Sequence, residues 1–325
     1  MEKNPSLNQE VEAEILLAQP RGFCAGVDRA ITIVNQALLQ FGAPIYVRHE
    51  IVHNAYVVED LRKRGAVFIN ELREVPTGAT VVFSAHGVSP MVKDEANQLG
   101  LKIFDATCPL VTKVHVEVLK LHRDGYKILM IGHAGHPEVE GTMGQIPHGI
   151  VLIESLSDVE HLTYPREEKI AYVTQTTLSV DETFEIVEAL RNKYPLITQP
   201  KKQDICYATQ NRQDAVKFMA PQVELVIVVG SPNSSNSNRL RELAEKLGVT
   251  TYMVDDPSQL QEQWFKGIKR VGLTAGASAP ENLAQEIINK IKEFGPKQVR
   301  SLPGISESIV FPLPKGLNKP QTALN

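Results

Sequence analysis

Aligned on its three cysteines, Cys24, Cys108 and Cys206, the chain reads as one pattern written three times. Each copy opens on an apolar segment that runs into its cysteine: ILLAQPRGFCAG, KIFDATCPL and QDICYAT. A helical stretch follows. In the second copy Val111, Val114, Val118 and Leu121 recur at steps of three and four, the spacing of one buried helix face. Each cysteine is therefore expected near a helix N-terminus. Next comes a strand ending in polar residues, within IYVRHEIVHN, ILMIGHAGHPEVEG and LVIVVGSPNSSNSN. The offsets agree: His53 lies 29 residues beyond Cys24, His136 lies 28 beyond Cys108, and Ser234 lies 28 beyond Cys206. Each copy then continues with a short apolar segment entering an acidic stretch (VFINELREV, VLIESLSDV, YMVDDPSQL). A last strand ending in small polar residues completes it (VVFSAHGVS, IAYVTQTTLS, VGLTAGASA).

Strands alternating with helices predict parallel α/β units whose ligand sites lie beyond the carboxyl ends of the strands, where every polar cluster falls. A length of 325 residues suggests about two domains, but the repeat overrides that prior. The expected fold is α/β, with three small α/β domains related by a pseudo-threefold repeat around a central cavity. They span residues 1–103, 104–202 and 203–297. Residues 298–325, with Pro303, Pro312, Pro314 and Pro320, read as an irregular tail.

The formal charge is −4 and there is no block of lysines and arginines, which argues against a nucleic-acid or membrane surface and for a small-molecule partner. The longest apolar runs, such as LVIVV, fall far short of the roughly 18 residues that span a bilayer. The opening MEKNPSLNQEVEA has no hydrophobic core or cleavage pattern, so a cytoplasmic location is expected. Three cysteines, an odd number and widely separated, do not form a disulfide framework and should be reduced.

A lone cysteine is most simply a small buried hydrophobe, but three equivalent ones ask for a joint role. Structural zinc uses close pairs such as C-x-x-C, which are absent, as is the closely spaced ferredoxin run. What remains is one thiolate from each domain converging on a centre. Three thiolates can hold a 4Fe-4S cluster and leave one iron open to substrate, and helix N-termini favour their charge.

Of the nine histidines, His49, His115, His122, His148 and His161 read as surface or helix-face residues, whereas His53, His86, His133 and His136 sit in the strand-end clusters. In the third copy the equivalent positions carry NSSNSN and GASAP. Imidazoles, hydroxyls, amides and helix N-termini converging on one space suit a phosphate or diphosphate. No GxxxxGK[ST] or GxGxxG is present to suggest a nucleotide. In GHPEVEG, an extended backbone would set His136, Glu138 and Glu140 on one face, so spacing cannot choose between the two glutamates as proton donor. In TQTTLS, Thr174, Thr176 and Thr177 are all candidates to pass on a proton.

The strings PRGFCAGVDRA, YVRHEIVHN, FSAHGVS, DATCPLVTKVH, GHAGHPEVEGTMGQ, TQTTLSVDET, DICYATQNRQ, GSPNSSNSNRL and TAGASAP together resemble the 4-hydroxy-3-methylbut-2-enyl diphosphate reductase family. The resemblance runs from about residue 15 to beyond residue 280. It implies the last step of the methylerythritol phosphate route: reductive dehydroxylation to isopentenyl and dimethylallyl diphosphate on the open iron of a 4Fe-4S cluster. Residue by residue, it implies Cys24, Cys108 and Cys206 as cluster ligands. His53, His86, His136, Ser234, Ser235, Asn236 and Ser278 would bind the diphosphate. Glu138, not Glu140, would be the proton-relay carboxylate, and Thr176 the hydroxyl-contacting threonine; His133 receives no role. With no flavin or nicotinamide site evident, a ferredoxin- or flavodoxin-like electron donor is implied. Two other classes compete: a zinc-dependent phosphohydrolase, which would be colourless, and a non-enzymatic iron-sulfur sensor, which would not need the polar cavity.

Overall fold

Residues 225–229, LVIVV, are apolar on both faces, so a strand made of them needs cover on both sides, as strands of a parallel sheet have. The computed structural model describes residues 13–317 and meets that need three times. Readings that fall on residues 1–12 and 318–325, Pro320 among them, lie outside the described residues.

In the first unit β1 (Glu14–Leu17) leads through Cys24 to α1 (Ala25–Phe41). There follow β2 (Ile45–Arg48), α2 (Ala55–Lys63), β3 (Ala66–Ile69), β4 (Thr80–Phe83), α3 (Pro90–Gln98) and β5 (Lys102–Asp105). The second unit holds α4 (Pro109–Arg123), β6 (Lys127–Ile131), α5 (Pro137–Met143), β7 (Ile150–Ile153), α6 (Leu156–His161), β8 (Ile170–Thr174) and α7 (Val180–Lys193). The third holds α8 (Tyr207–Met219), β9 (Leu225–Val229), α9 (Ser235–Lys246), β10 (Thr250–Val254), β11 (Arg270–Ala275), α10 (Glu281–Glu293) and β12 (Gln298–Ser301).

The strands form three sheets in the orders β3-β2-β4-β5, β7-β6-β8 and β10-β9-β11-β1-β12, with every pairing parallel. The α/β architecture of three small repeated units is the one expected from the sequence. Sheet membership adds something the repeat alone does not show. The strand leading to Cys108, β5, opens the second sequence copy yet pairs with β4 of the first. Thr198, on the approach to Cys206, bridges to Ala171 of β8 in the same sense. The strand leading to Cys24, β1, takes the corresponding place beside β11 of the last unit. The chain thus closes on itself: β5 straddles the sequence division near residue 103 and stays in the sheet of β4, and β1 joins the sheet of the last unit. The segment from 298, read as irregular, opens instead with β12, which borrows β1 as its partner.

Period-two alternation places both sets of strand side chains in apolar layers. Leu225, Ile227 and Val229 pack with Leu283, Ile287 and Ile291 of α10, while Val226 and Val228 pack with Val216 and Met219 of α8 and Leu240 of α9. The first unit repeats this with Val82 facing Ile33 and Val34 of α1, and Val81 and Phe83 facing Ala96 of α3. The predicted face of α4 (Val111, Val114, Val118, Leu121) is buried. His115 on the same helix is buried too rather than exposed, packed against Gly87. Helices on both faces leave only the ends of the sheets open, and the loops at the carboxyl ends carry the chemistry.

Candidate active site

Each cysteine is the N-cap of its helix: Cys24 of α1, Cys108 of α4 and Cys206 of α8. Pro109 starts α4 because proline lacks an N–H that the first turn would leave unpaired in any case. All three thiols are free of disulfides and line one cavity. A Cβ added at Gly26 would sit 2.7 Å from the Sγ of Cys108 and 3.9 Å from that of Cys24, so the missing side chain keeps the space between them clear. Burial pushes the Cys108 thiol up to about 12, outweighing the backbone amides of its helix. Burial, then the neighbouring Cys24, pushes Cys206 up to about 11. Metal-free, the Cys108 and Cys206 thiols keep their protons; a metal group would displace those protons and gain the helix N-terminal dipoles. The free thiols and the cleared space fit an inorganic group. Among the described residues, no three histidine, cysteine, aspartate or glutamate side chains are grouped so as to hold a single metal ion.

The wall of the same cavity carries His53, His86, His136, Ser234, Ser235, Asn236 and Ser278. The His53 and His86 rings stack with centroids 4.1 Å apart, and His136 stands edge-on to them at 5.5 and 5.6 Å. His136 caps α5, its Nδ1 accepting from Glu138 N at 3.1 Å, which leaves Nε2 as the ring's protonated nitrogen. Burial takes His136 down to about 3, and burial followed by its histidine neighbours takes His86 well below the usual imidazole range. Neither carries charge near neutral pH. No lysine or arginine is among the described residues that line the cavity. An anion there would therefore meet imidazoles, hydroxyls and helix N-termini rather than fixed cations.

The third unit supplies those hydroxyls. Ser234 caps α9; its Oγ accepts from Ser237 N at 3.3 Å and lies 3.4 Å from Ser278 Oγ, which donates to His53 O at 2.9 Å. Asn236 Oδ1 accepts from Ala277 N at 2.8 Å, leaving a buried Nδ2 with no partner. A buried unpartnered donor in a polar cavity needs an acceptor to offset its desolvation.

Residues 137–143 are helical, not extended as the period-two reading had it. Pro137 occupies the first turn and His136 the cap, a start signal that the apolar-polar count overlooks. On a helix, residues two apart point to nearly opposite sides, so Glu138 is buried (3% exposed) while Glu140 faces solvent. Geometry thus separates the two glutamates that spacing left together. Glu138 Oε1 accepts from Thr176 N at 2.6 Å and Oε2 from Thr176 Oγ1 at 2.9 Å. Those bonds favour the carboxylate, yet burial outweighs them and pushes Glu138 up to about 7. The close approach of α5 to the His86 turn depends on Gly141, where a Cβ would lie 2.9 Å from Gly87 O.

The LytB protein family model matches residues 15–292. The chain belongs to the LytB family. It is 68% identical over 306 residues to the 4-hydroxy-3-methylbut-2-enyl diphosphate reductase of Ralstonia nicotianae, covering 94% of each chain. It is 61% identical over 318 residues to the enzyme of the same name from Methylibium petroleiphilum, covering 98% of this chain and 97% of the relative. Among solved structures it is similar to the E-1-hydroxy-2-methyl-but-2-enyl-4-diphosphate reductase from Plasmodium falciparum. There the TM-score is 0.90 at 40% identity, covering 94% of this chain and 96% of that one. A second, of (E)-4-hydroxy-3-methyl-but-2-enyl diphosphate reductase, matches with a TM-score of 0.62 at 34% identity, covering 86% and 99%.

In this LytB chain all the residues singled out from the sequence as ligands, diphosphate contacts and proton relay line the one cavity. His133 does not, and lies in the neighbouring surface cleft with Arg239. Of the three threonines left open, Thr176 and Thr177 reach the cavity; Thr174 is turned away and donates to Gln175 O at 3.1 Å. The repeat pattern missed Thr209, which lines the cavity 3.3 Å from Cys206 Sγ. It also missed the apolar lining of Val27, Val52, Leu110 and Val111. Position in the first turn of a cysteine-capped helix would have pointed to Val27, Leu110, Val111 and Thr209.

Proposed function

We propose that this LytB chain reduces 4-hydroxy-3-methylbut-2-enyl diphosphate to isopentenyl diphosphate and dimethylallyl diphosphate, the allylic hydroxyl leaving as water. The observation that carries the reading is one cavity lined by three cysteine N-caps, a histidine, serine and asparagine wall, and a buried Glu138–Thr176 pair. Cys24, Cys108 and Cys206 would hold an iron-sulfur cluster of the 4Fe-4S type. When bound, such a cluster supplies electrons and an iron free of protein ligands that acts as a Lewis acid.

The chain's own residues do the rest. His53, His86, His136, Ser234, Ser235, Asn236 and Ser278 bind the diphosphate, and the unpartnered Asn236 Nδ2 gains an acceptor. Val27, Val52, Leu110 and Val111 pack against the hydrocarbon and keep water out. Protonated Glu138 gives its proton to Thr176 Oγ1 as the threonine's own proton passes to the leaving hydroxyl, and the carboxylate left behind accepts the hydrogen bond from Thr176 Oγ1. Two electrons and two protons convert the substrate to product and water. The electrons would come from a small ferredoxin- or flavodoxin-like protein. No helix of the described residues is long and apolar enough to cross a membrane.

Anaerobic turnover of the hydroxylated allylic diphosphate with a chemical one-electron reductant tests the reading. Iron-loaded protein should yield both isomeric diphosphates with the phosphoanhydride intact. Release of inorganic phosphate or diphosphate without loss of the hydroxyl would overturn it in favour of hydrolysis.

A further inference from the structure

Five or six residues beyond each cysteine, on the helix it caps, stands a basic residue: Arg29 after Cys24, Lys113 after Cys108 and Arg212 after Cys206. None of these residues lines the cavity. Each reaches out of its own unit to the loop that delivers the next cysteine. Arg29 Nη1 donates to Thr107 O at 3.1 Å, the carbonyl immediately before Cys108. Lys113 Nζ donates to Lys202 O at 2.7 Å, Gln203 O at 2.8 Å and Asp204 Oδ1 at 3.0 Å, just ahead of Cys206. Arg212 donates from Nε and Nη2 to Gly22 O at 3.0 and 2.7 Å and from Nη2 to Phe23 O at 3.3 Å, just ahead of Cys24. The contacts run from the first unit to the second, the second to the third, and the third back to the first.

We propose that Arg29, Lys113 and Arg212 form a cyclic set of clamps that fixes the three cysteine loops relative to one another and so governs retention of the metal group they hold. The inference rests on the reading above that the three cysteines share an iron-sulfur centre.

Each cysteine lies on a different unit, and the backbone of its approach loop has left the sheet. Carbonyls at such a point need donors, and a charged donor makes the stronger bond. By drawing its donor from the preceding cysteine's helix, each loop is referenced to another thiol rather than to its own unit. Three donors that must meet one rigid inorganic group gain from being held at fixed separations beforehand, because less ordering remains to be done on binding. Arg212 shows how far this is built in. It is fully buried, its fork satisfied by Gly22, Phe23, Ala208 and the carboxylate of Glu307 at 3.1 and 3.2 Å. Residues beyond β12 supply that carboxylate, and Pro312 O of the same segment accepts from Arg29 Nε at 2.7 Å. The C-terminal segment therefore braces two of the three clamps, and Leu313 and Leu317 anchor it on the core of the first unit.

The test compares iron release to a ferrous chelator from anaerobically reconstituted protein with the thermal midpoint of the metal-free protein. Arg29→Gln and Lys113→Met should release iron about 10- to 100-fold faster than the parent, as loss of outer partners of a metal site does. Arg29→Lys and Lys113→Arg, which keep a cationic donor, should return release to within about threefold, and metal-free midpoints should stay within about 2 °C. Removing Arg212 would leave the Gly22 and Phe23 carbonyls without this donor and Glu307 with the Asn211 amide alone, and threatens folding. Glu307→Gln, which loosens that clamp without emptying it, should release iron several-fold faster than the parent. Unchanged release in Arg29→Gln and Lys113→Met overturns the clamps while the iron-sulfur reading stands. So does faster release accompanied by an equal fall in the metal-free midpoint in the conservative variants as well. A parent protein that retains no iron overturns the iron-sulfur reading, and the clamps with it.

Discussion

Serine in place of any one of Cys24, Cys108 or Cys206 should bring turnover to background while leaving the metal-free protein as stable as before. The stability half follows from helix capping. All three cysteines are N-caps, and Cys206 Sγ already accepts from Thr209 N at 3.4 Å. Serine is among the preferred residues at that position, so a purely structural cysteine could be replaced at no cost. The activity half follows from ligand count. Each unit supplies one thiol to the cavity, and loss of even an outer partner of a metal site typically costs about 10- to 100-fold in affinity; loss of a ligand should cost more. Iron content after reconstitution, turnover and the metal-free thermal midpoint, measured on the same three variants, separate the two roles. A serine variant with parental iron content and turnover would remove that cysteine from the ligand set.

Glu138→Gln should lower turnover by about 10² to 10⁴, the usual contribution of a positioned general acid, with iron content unchanged. Glutamine keeps the shape and can still accept from Thr176 N, but it has no proton to give. Glu140→Gln should stay within about tenfold, or ~1.4 kcal/mol in barrier, because the residue faces solvent from the other side of α5. The two variants also differ in pH dependence. Burial holds the Glu138 carboxyl at about 7, and the protonated form is the one that donates. In the parent, kcat/KM should therefore be sustained below about pH 7 and fall by up to about tenfold per unit above it. The falling limb should be absent in Glu138→Gln and present in Glu140→Gln. Equal losses in both variants, or an unaltered limb in Glu138→Gln, would move the proton source elsewhere.

That the two glutamates differ could not be read from HPEVE by alternation, since a period of two puts them together and a helix puts them apart. The deciding residue is Pro137, whose fixed φ and missing N–H start a helix after His136. The parallel units and the cysteine caps were legible because each rests on local pattern repeated three times. The pairing of β1 with β11 was not, because parallel partners far apart in sequence leave no mark on local periodicity. For the same reason the tail looked irregular, although β12 finds a partner in β1. Arg29 and Lys113 stand five residues beyond their cysteines and Arg212 six, but their targets lie in other units, and only the folded ring shows what they hold. The burial of His115 follows from the same packing between units: its ring meets Gly87 in the turn that carries His86.

In the proposed mechanism three thiols from three units share one cluster that has an iron left for substrate. Mössbauer spectra of protein reconstituted with ⁵⁷Fe, recorded with and without the hydroxylated allylic diphosphate, examine that claim directly. A single iron subsite should stand apart from the rest and change its isomer shift when the diphosphate is added, while the others stay as they were. Irons that are all equivalent, or a spectrum indifferent to the diphosphate, would contradict it.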